Sequence, residues 1–577
     1  MIHRVPSITI VASMCLLCLA LAAGPALAKE YFVDQKHPAA SDSNPGTEAQ
    51  PWKTIARAGI ARELQPGDTV LIKSGLYREA ANITVSGEPG KPVTFTAAPG
   101  ARVVVKGSEL IRGQWTRISQ RKDVKEPYPN AYKNIWKIQL GDEYFPSSPK
   151  KADRFITQVF MCDYTPLQMI GPDRFYDSDQ LRIVGGGLAD MIDGSFYFDP
   201  KNQGLYVKVG GHPEWYRMEI GVRSAALSVS AAHDVVVRGL EMRHNLHGGV
   251  CNVGGCRRVA VEDCKCCLGD MNGLSICSCK DCTARRCDLS YNGNSGLGLN
   301  TTEGCTIEDC TLLYNNYRHF NDAWHCGGMK NIPDNFRTTI RRCEVAYTHA
   351  GPGIWFDTHN PDCLIVDNVC HHNGADGIFL EINRGGGIIA NNLVYANYGR
   401  GISVAGSPST WVVHNTVADN NCGIVLMPRG DIDPLKNERV FNNLLLRNYI
   451  AGATLTEGCD LTLYMYPPFQ PDQTRLRQAE VHNMSDFNVF AANDWVPTIR
   501  YHWNPSVTLA EWQKRFQQDL HSQLMPVQFE CRGQGFKLLS SEGLDVATPL
   551  PEKLLKIWKP KNPKRVGATL TQWPACY

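Results

Sequence analysis

The sequence predicts an all-β fold, a parallel β-helix solenoid, on three observations: a repeat of about 24 residues, short strands rich in β-branched side chains, and no amphipathic run long enough for helices. The repeat is read from "VEDC", "ARRC", "IEDC", "IRRC", "VDN", "ANN", "VHN" and "FNN". These end at Cys264, Cys287, Cys310, Cys343, Asn368, Asn392, Asn415 and Asn443, in steps of 23, 23, 33, 25, 24, 23 and 28. Glycines run in phase with them at Gly273, Gly296, Gly353, Gly377, Gly401 and Gly423. In a solenoid, equivalent positions of successive coils form a ladder, and asparagines in such a ladder hydrogen-bond along the stack. The cysteines occupy the same phase, so they are expected to be buried thiols standing where later coils place amides. No Cys/His quartet has zinc-finger spacing, so no metal is expected there. Disulfides between neighbouring rungs are also allowed by the rung spacing.

Along the chain, residues 1–28 read as a signal peptide. Arg4 precedes an apolar run, and "ALA" (Ala26 to Ala28) gives small residues before Lys29. Export to the periplasm or the extracellular space is expected, with no membrane span once the leader is removed. Residues 29–115 are expected to begin and cap the helix. Residues 116–222 break the repeat with a Pro-, Tyr- and Trp-rich stretch followed by the hairpin-like "SFYFDPKNQGLYVKVGG", predicting a small inserted β-sandwich. Regular coils carrying the site should occupy 223–463. Residues 464–577 should close the helix irregularly, with one short helix around Leu509 to Phe516. Lys and Arg total 59 against 57 Asp and Glu, a net charge of +2. That balance gives no electrostatic footprint for nucleic acid or an anionic membrane.

The candidate chemistry lies in "GIWFD" and "GIFLE", which end in Asp357 and Glu381, 24 residues and one coil apart. Strand alternation turns Ile354, Phe356, Ile378 and Leu380 inward, and so Trp355, Asp357, Phe379 and Glu381 outward. The two acids should then stack with backbones about 4.8 Å apart. Retaining glycosidases hold their carboxyl pair about 5 to 5.5 Å apart, whereas inverting ones need roughly 6.5 to 9.5 Å. Like charges this close also push one carboxyl upward, as a general acid requires. Lys330, Trp355 and Phe379 fall in the row two residues earlier, one cation and two aromatic faces suited to a sugar. The coil from Gly296 to Gly328 is lengthened, and its loop "RHFNDAWHCGG" offers Trp324 and His325. Asn360 and Arg384 follow the two strands and are expected to line the same groove.

The opening motifs "YFVDQ", "SNPGTEAQPWKTIARA", "LQPGDTVLIKSGLYRE" and "KGSE" resemble those of carbohydrate-active right-handed parallel β-helix proteins. "GIWFD" and "GIFLE" resemble the catalytic stretches of glycoside hydrolase family 120, the β-helix β-xylosidases, and "GGMK" is similar to that family's stretch with a Lys near the substrate. The resemblance implies Asp357 as nucleophile, Glu381 as acid/base, Lys330 beside the substrate and no cofactor. Where that family carries a further acid upstream of the lysine, this chain has His325. "TLAEWQKRFQQDLHS" and "FKLLSSEG" also resemble the common C-terminal ending of these proteins.

Three functions follow. The first is an exported retaining, exo-acting glycosidase on plant- or algal-type oligosaccharides, β-xylosidase-like. The second is a polysaccharide lyase on uronate-containing glycans, with Lys330 or Arg384 as base and Ca²⁺ as cofactor. The third is a non-catalytic glycan-binding β-helix, since the fold alone implies no activity. Sugar identity, linkage and anomeric configuration do not follow from these motifs.

Overall fold

A computed structural model describes residues 28–118, 134–145, 150, 153–429, 436–448, 461–463, 482–492, 498–501, 506–531 and 535–574. The leader expected at 1–28 lies, but for Ala28, outside the described residues.

The repeat folds as three long parallel faces. One sheet has thirteen strands, a second has twelve, and the third face is divided into runs of four and eight. Along each face, apart from the break in the third, strands pair in parallel with their counterparts one coil later, as Ile354–Asp357 does with Ile378–Glu381. Inward residues form one continuous apolar column, from Val33 through Phe356 and Leu380 to Trp512. The helix Leu509–Phe516, expected from sequence, closes the far end by burying Leu509, Trp512 and Phe516. Thr508 caps it, its hydroxyl accepting from the Glu511 N–H.

The Cys/Asn phase is an inward ladder. The N–H groups of Asn368, Asn392 and Asn415 each donate at 2.9 Å to the amide oxygen one coil on, while Asn392 Nδ2 donates to the Ile365 carbonyl at 2.9 Å. In earlier coils the thiol takes that second role: Cys287 Sγ donates to the Val261 carbonyl at 3.4 Å and Cys343 Sγ to that of Ile307 at 3.8 Å. The two chemistries join where the Cys343 N–H donates to Asn368 Oδ1. The described cysteines are all free thiols. Two further corners carry ladders of their own, one through Asn373, Asn397 and Asn420 and one through Asn335, Asn360, Asn383 and Ser407.

The irregular stretch after the first coils carries a five-stranded sheet, which includes the hairpin Ser195–Asp199 with Gly204–Lys208, and a four-stranded antiparallel sheet. Both contribute to one core around Phe196, Leu205, Val159 and Ile220. Two contacts fasten this region to the coils. Lys106, Arg78 and Arg243 from the coils pair with Glu219 and Asp163. Segment 173–182 docks on the lengthened coil: Leu181 bridges Phe320, and Arg318 is ion-paired with both Asp173 and Asp270. Among the described residues no helix is long and apolar enough to cross a membrane.

Candidate active site

The acids sit at strand ends because the chain turns at once behind them. Thr358 and His359 follow Asp357 with φ of 61° and 59°, and Ile382 follows Glu381 with φ of 50°. Parallel register continues this edge as two outward columns. In one, Lys330, Trp355, Phe379 and Ser403 succeed each other. In the other, Asp357 pairs with Glu381, and extending the register by one residue puts Ile332 before Asp357 and Asn300 before Ile332.

Within this frame the two acids differ. Asp357 is partly exposed; Lys330 Nζ donates to its Oδ2 at 2.8 Å and Thr358 Oγ1 to its Oδ1 at 2.9 Å. Glu381 is 3% exposed. Arg429 Nε approaches its Oε1 at 2.7 Å, and Trp355 Nε1 donates to its Oε2 at 3.1 Å. Burial pushes the Glu381 carboxyl up, with Asp357 adding to the effect and Arg429 opposing it. Lys330 is buried too, and desolvation pulls it down to about 8 despite the two carboxylates. Its ammonium lies 2.9 Å from the centroid of the Trp355 ring.

The remaining expected residues divide. Trp324 is exposed, edge-on to His325. His325 stacks on Phe320, and burial together with the charge of Lys330 draws it down to about 4. Asn294 Nδ2 lies 2.9 Å from His325 Nδ1. An amide nitrogen can only donate, so Nδ1 accepts and the proton sits on Nε2. Phe379 stacks on Trp355 at 5.2 Å and keeps partial exposure. Arg384 is exposed on the turn beyond Glu381.

Two assignments need correction. Trp355 is 1% exposed; enclosed by Lys330 and Phe379 and bonded to Glu381, it supports the acids from beneath and offers no face to a sugar. Asn360 belongs to an inward ladder, its Oδ1 accepting from Asn335 Nδ2 at 2.7 Å and its Nδ2 donating to the Asp357 carbonyl at 3.0 Å. It holds the backbone of the Asp357 turn and does not reach the groove. Sequence reasoning missed Arg429, which no motif marks, and also Ser275 and Gly298, which precede Lys330 in its own column.

Among the described residues one group of three metal-donor side chains converges, Asp163, Glu219 and His244, in the ion-paired contact described above. Lys106 Nζ occupies its middle, bonded to Asp163 and 3.1 Å from both Glu219 oxygens, so the cluster is charge-balanced by lysine and arginine.

Comparison with known proteins agrees with this architecture. A family described as the right handed beta helix region matches residues 331–465. The solved complex of XylC with xylose superimposes with a TM-score of 0.63 at 15% identity, over 94% of this chain and 93% of that one. Curated relatives match in short segments only. The uncharacterized protein YwoF of Bacillus subtilis is 33% identical over 91 residues, 15% of this chain and 19% of that protein. Mannuronan C5-epimerase AlgE6 of Azotobacter vinelandii is 37% identical over 95 residues, 16% of this chain and 10% of that protein. The chain thus spans a fifth or less of the length of these relatives. Repeat, register and backbone likeness together make this chain a right-handed parallel β-helix protein.

Proposed function

We propose that the protein is an exported retaining glycoside hydrolase, exo-acting on neutral plant- or algal-type oligosaccharides and β-xylosidase-like, with Asp357 as nucleophile and Glu381 as acid/base. The observation that carries this reading is the in-register pairing of Asp357 with Glu381, one acid beside an ammonium and the other buried and pushed up. In the first step an Asp357 oxygen bonds to the anomeric carbon while the glycosidic C–O bond breaks, and the Glu381 proton passes to the departing oxygen. In the second, Glu381 takes a proton from water, whose oxygen displaces Asp357, and the anomeric configuration is restored. Lys330 balances the Asp357 charge at the start of the cycle and, with Thr358, sets the orientation of its carboxylate; Trp355 fixes Glu381 through its indole N–H. The XylC complex with xylose, alike in fold over nearly the whole chain, supports a sugar as ligand.

Lys330 also favours a second reading. A lysine drawn to about 8 is near the range of a general base, which a lyase acting on uronates needs. Its 2.8 Å bond to Asp357 and its burial under the acids count against a free base. The test is mass spectrometry of products from plant and algal oligosaccharides, beside Asp357→Asn and Glu381→Gln. Hydrolysis adds one water per cleavage and vanishes in both variants. Unsaturated products without added water would overturn the hydrolase and establish the lyase. Early-time proton NMR should show the released sugar with its original anomeric configuration.

A further inference from the structure

A cleft lies next to the acid pair, and Lys330, bonded to Asp357, is the residue that joins the two. This cleft of about 240 Å³ runs from Lys330 and Ile332 away from Glu381, toward the N-terminal coils, past Gly298 and Asn300 to Ser275 and Asn272. Ser275, Gly298 and Lys330 occupy one outward column on three successive rungs. With rungs about 4.8 Å apart, the distal end lies about three rungs, or roughly 14 Å, from the strand of Asp357. One sugar ring bonded at Asp357 does not fill that length.

Direction follows from the roles assigned above, on which this inference rests. The leaving group lies on the side of the acid that protonates it, here Glu381. The cleft opens on the opposite side of Asp357, so it receives the part of the glycan that stays bonded to the enzyme. We propose that the cleft holds two consecutive neutral sugar rings of that part, and that the enzyme releases disaccharide units from the chain end. The distal ring rests on Ser275, Asn272 and Asn300, with Trp324 as its aromatic wall.

The lining fits that ligand. The floor is kept low by Gly298, where a Cβ would come 2.6 Å from Asn272 Nδ2. Beside it Asn272 Nδ2 donates to Ser275 Oγ at 3.1 Å, which sets the hydroxyl and amide in one plane of donors and acceptors. Trp324 is 46% exposed, a large aromatic at the groove wall, and sugar rings present an apolar face to such rings. Apart from Lys330, which is already paired with Asp357, the cleft is lined by amides, hydroxyls, apolar groups, the thiol of Cys277 and the imidazole of His325. A uronate carboxylate would meet no unpaired cation there, so the rings are neutral.

The experiment compares 4-nitrophenyl β-xylobioside with 4-nitrophenyl β-xyloside, and follows xylotetraose by mass spectrometry, for the wild type, Ser275→Gln and Trp324→Ala. The expected wild-type result is a kcat/KM at least tenfold higher on the bioside and xylobiose as the first product. Ser275→Gln, which fills the distal end from an outward position, should erase that preference, and Trp324→Ala should lower it, chiefly through KM. Xylose as the first product, or a preference that survives Ser275→Gln, would overturn the proposal. If the wild type hydrolyses neither glycoside, the hydrolase reading fails, and calorimetry decides the cleft separately. Tighter binding of xylobiose than of xylose, lost in Ser275→Gln, supports a two-ring cleft; equal or absent binding, or a preference for oligouronates, overturns it.

Discussion

Replacing Lys330 by methionine asks whether the ammonium beside Asp357 serves chemistry or stability. Burial draws this lysine from its ordinary 10.5 down to about 8, even with Asp357 and Glu381 pulling the other way. At about 1.4 kcal/mol per pH unit, keeping the charge at pH 7 costs the fold about 3 kcal/mol. The sign is definite. The unfolded chain binds this proton more tightly, so the penalty is complete below about pH 8 and disappears as pH rises to about 10.5. Methionine has a similar stem and no charge, and so carries no such penalty at any pH. The wild type should therefore gain about 3 kcal/mol relative to Lys330→Met between pH 7 and pH 10.5. With about 2.1 cal/mol/K of unfolding entropy per residue over 577 residues, that is about 3 °C of relative Tm. Differential scanning fluorimetry of both proteins across this range reads it. Activity should move the other way: without a counter-charge at 2.8 Å from Asp357, kcat/KM should fall on the order of 100-fold or more. A Tm difference that stays constant with pH, or a variant as active as the wild type, would refute the reasoning.

Arg429→Ala removes the cation that opposes the rise of Glu381. In its proposed role as general acid Glu381 must be protonated, so the basic limb of the kcat/KM profile should move to higher pH, and an unmoved limb would remove Glu381 from that role. In the inner ladder Asn392→Ala should cost about 3 kcal/mol, because the amide donates to Ile365 and Asn415 and accepts from Asn368. Asn392→Cys should cost less, since a thiol can keep the carbonyl bond as Cys343 does; urea unfolding ranks the two. Dialysis against EDTA should leave glycan cleavage unchanged, whereas a loss restored by Ca²⁺ together with unsaturated products would favour the lyase.

The coil period was legible because burial repeats with it. Cys264, Cys287, Cys310 and Cys343 could be placed inside the helix from phase alone, and the pairing of Asp357 with Glu381 follows from the same count. What failed to show was depth. Alternation points Trp355 outward, and it does lie on the outer surface, yet Lys330 and Phe379 cover it. Asn360 was read as a groove residue because it follows Asp357. The recurrence Asn335, Asn360, Asn383, Ser407, at steps of 25, 23 and 24, marks it as part of a further inward ladder. Arg429 reaches Glu381 from two coils further on. Local pattern carries no record of such a contact, because a long flexible side chain on a turn is free of the strand's phase.

The rung spacing also has a meaning for stereochemistry. On a scaffold whose surface positions come in steps of about 4.8 Å, the distance between two carboxylates in one column is not continuously adjustable. Adjacent rungs set the two backbones about 4.8 Å apart, near the carboxyl spacing of retaining glycosidases, while skipping one rung gives roughly 9.6 Å, at the upper edge of the inverting range. Ile332 is the position one rung before Asp357 in that column. A carboxylate moved there from Asp357 would leave its partner Glu381 in place and change the pair's separation by a whole step. On the proposed mechanism, retention and inversion would be neighbouring addresses on one ladder, reached by shifting a single acid by one coil rather than by reshaping the fold.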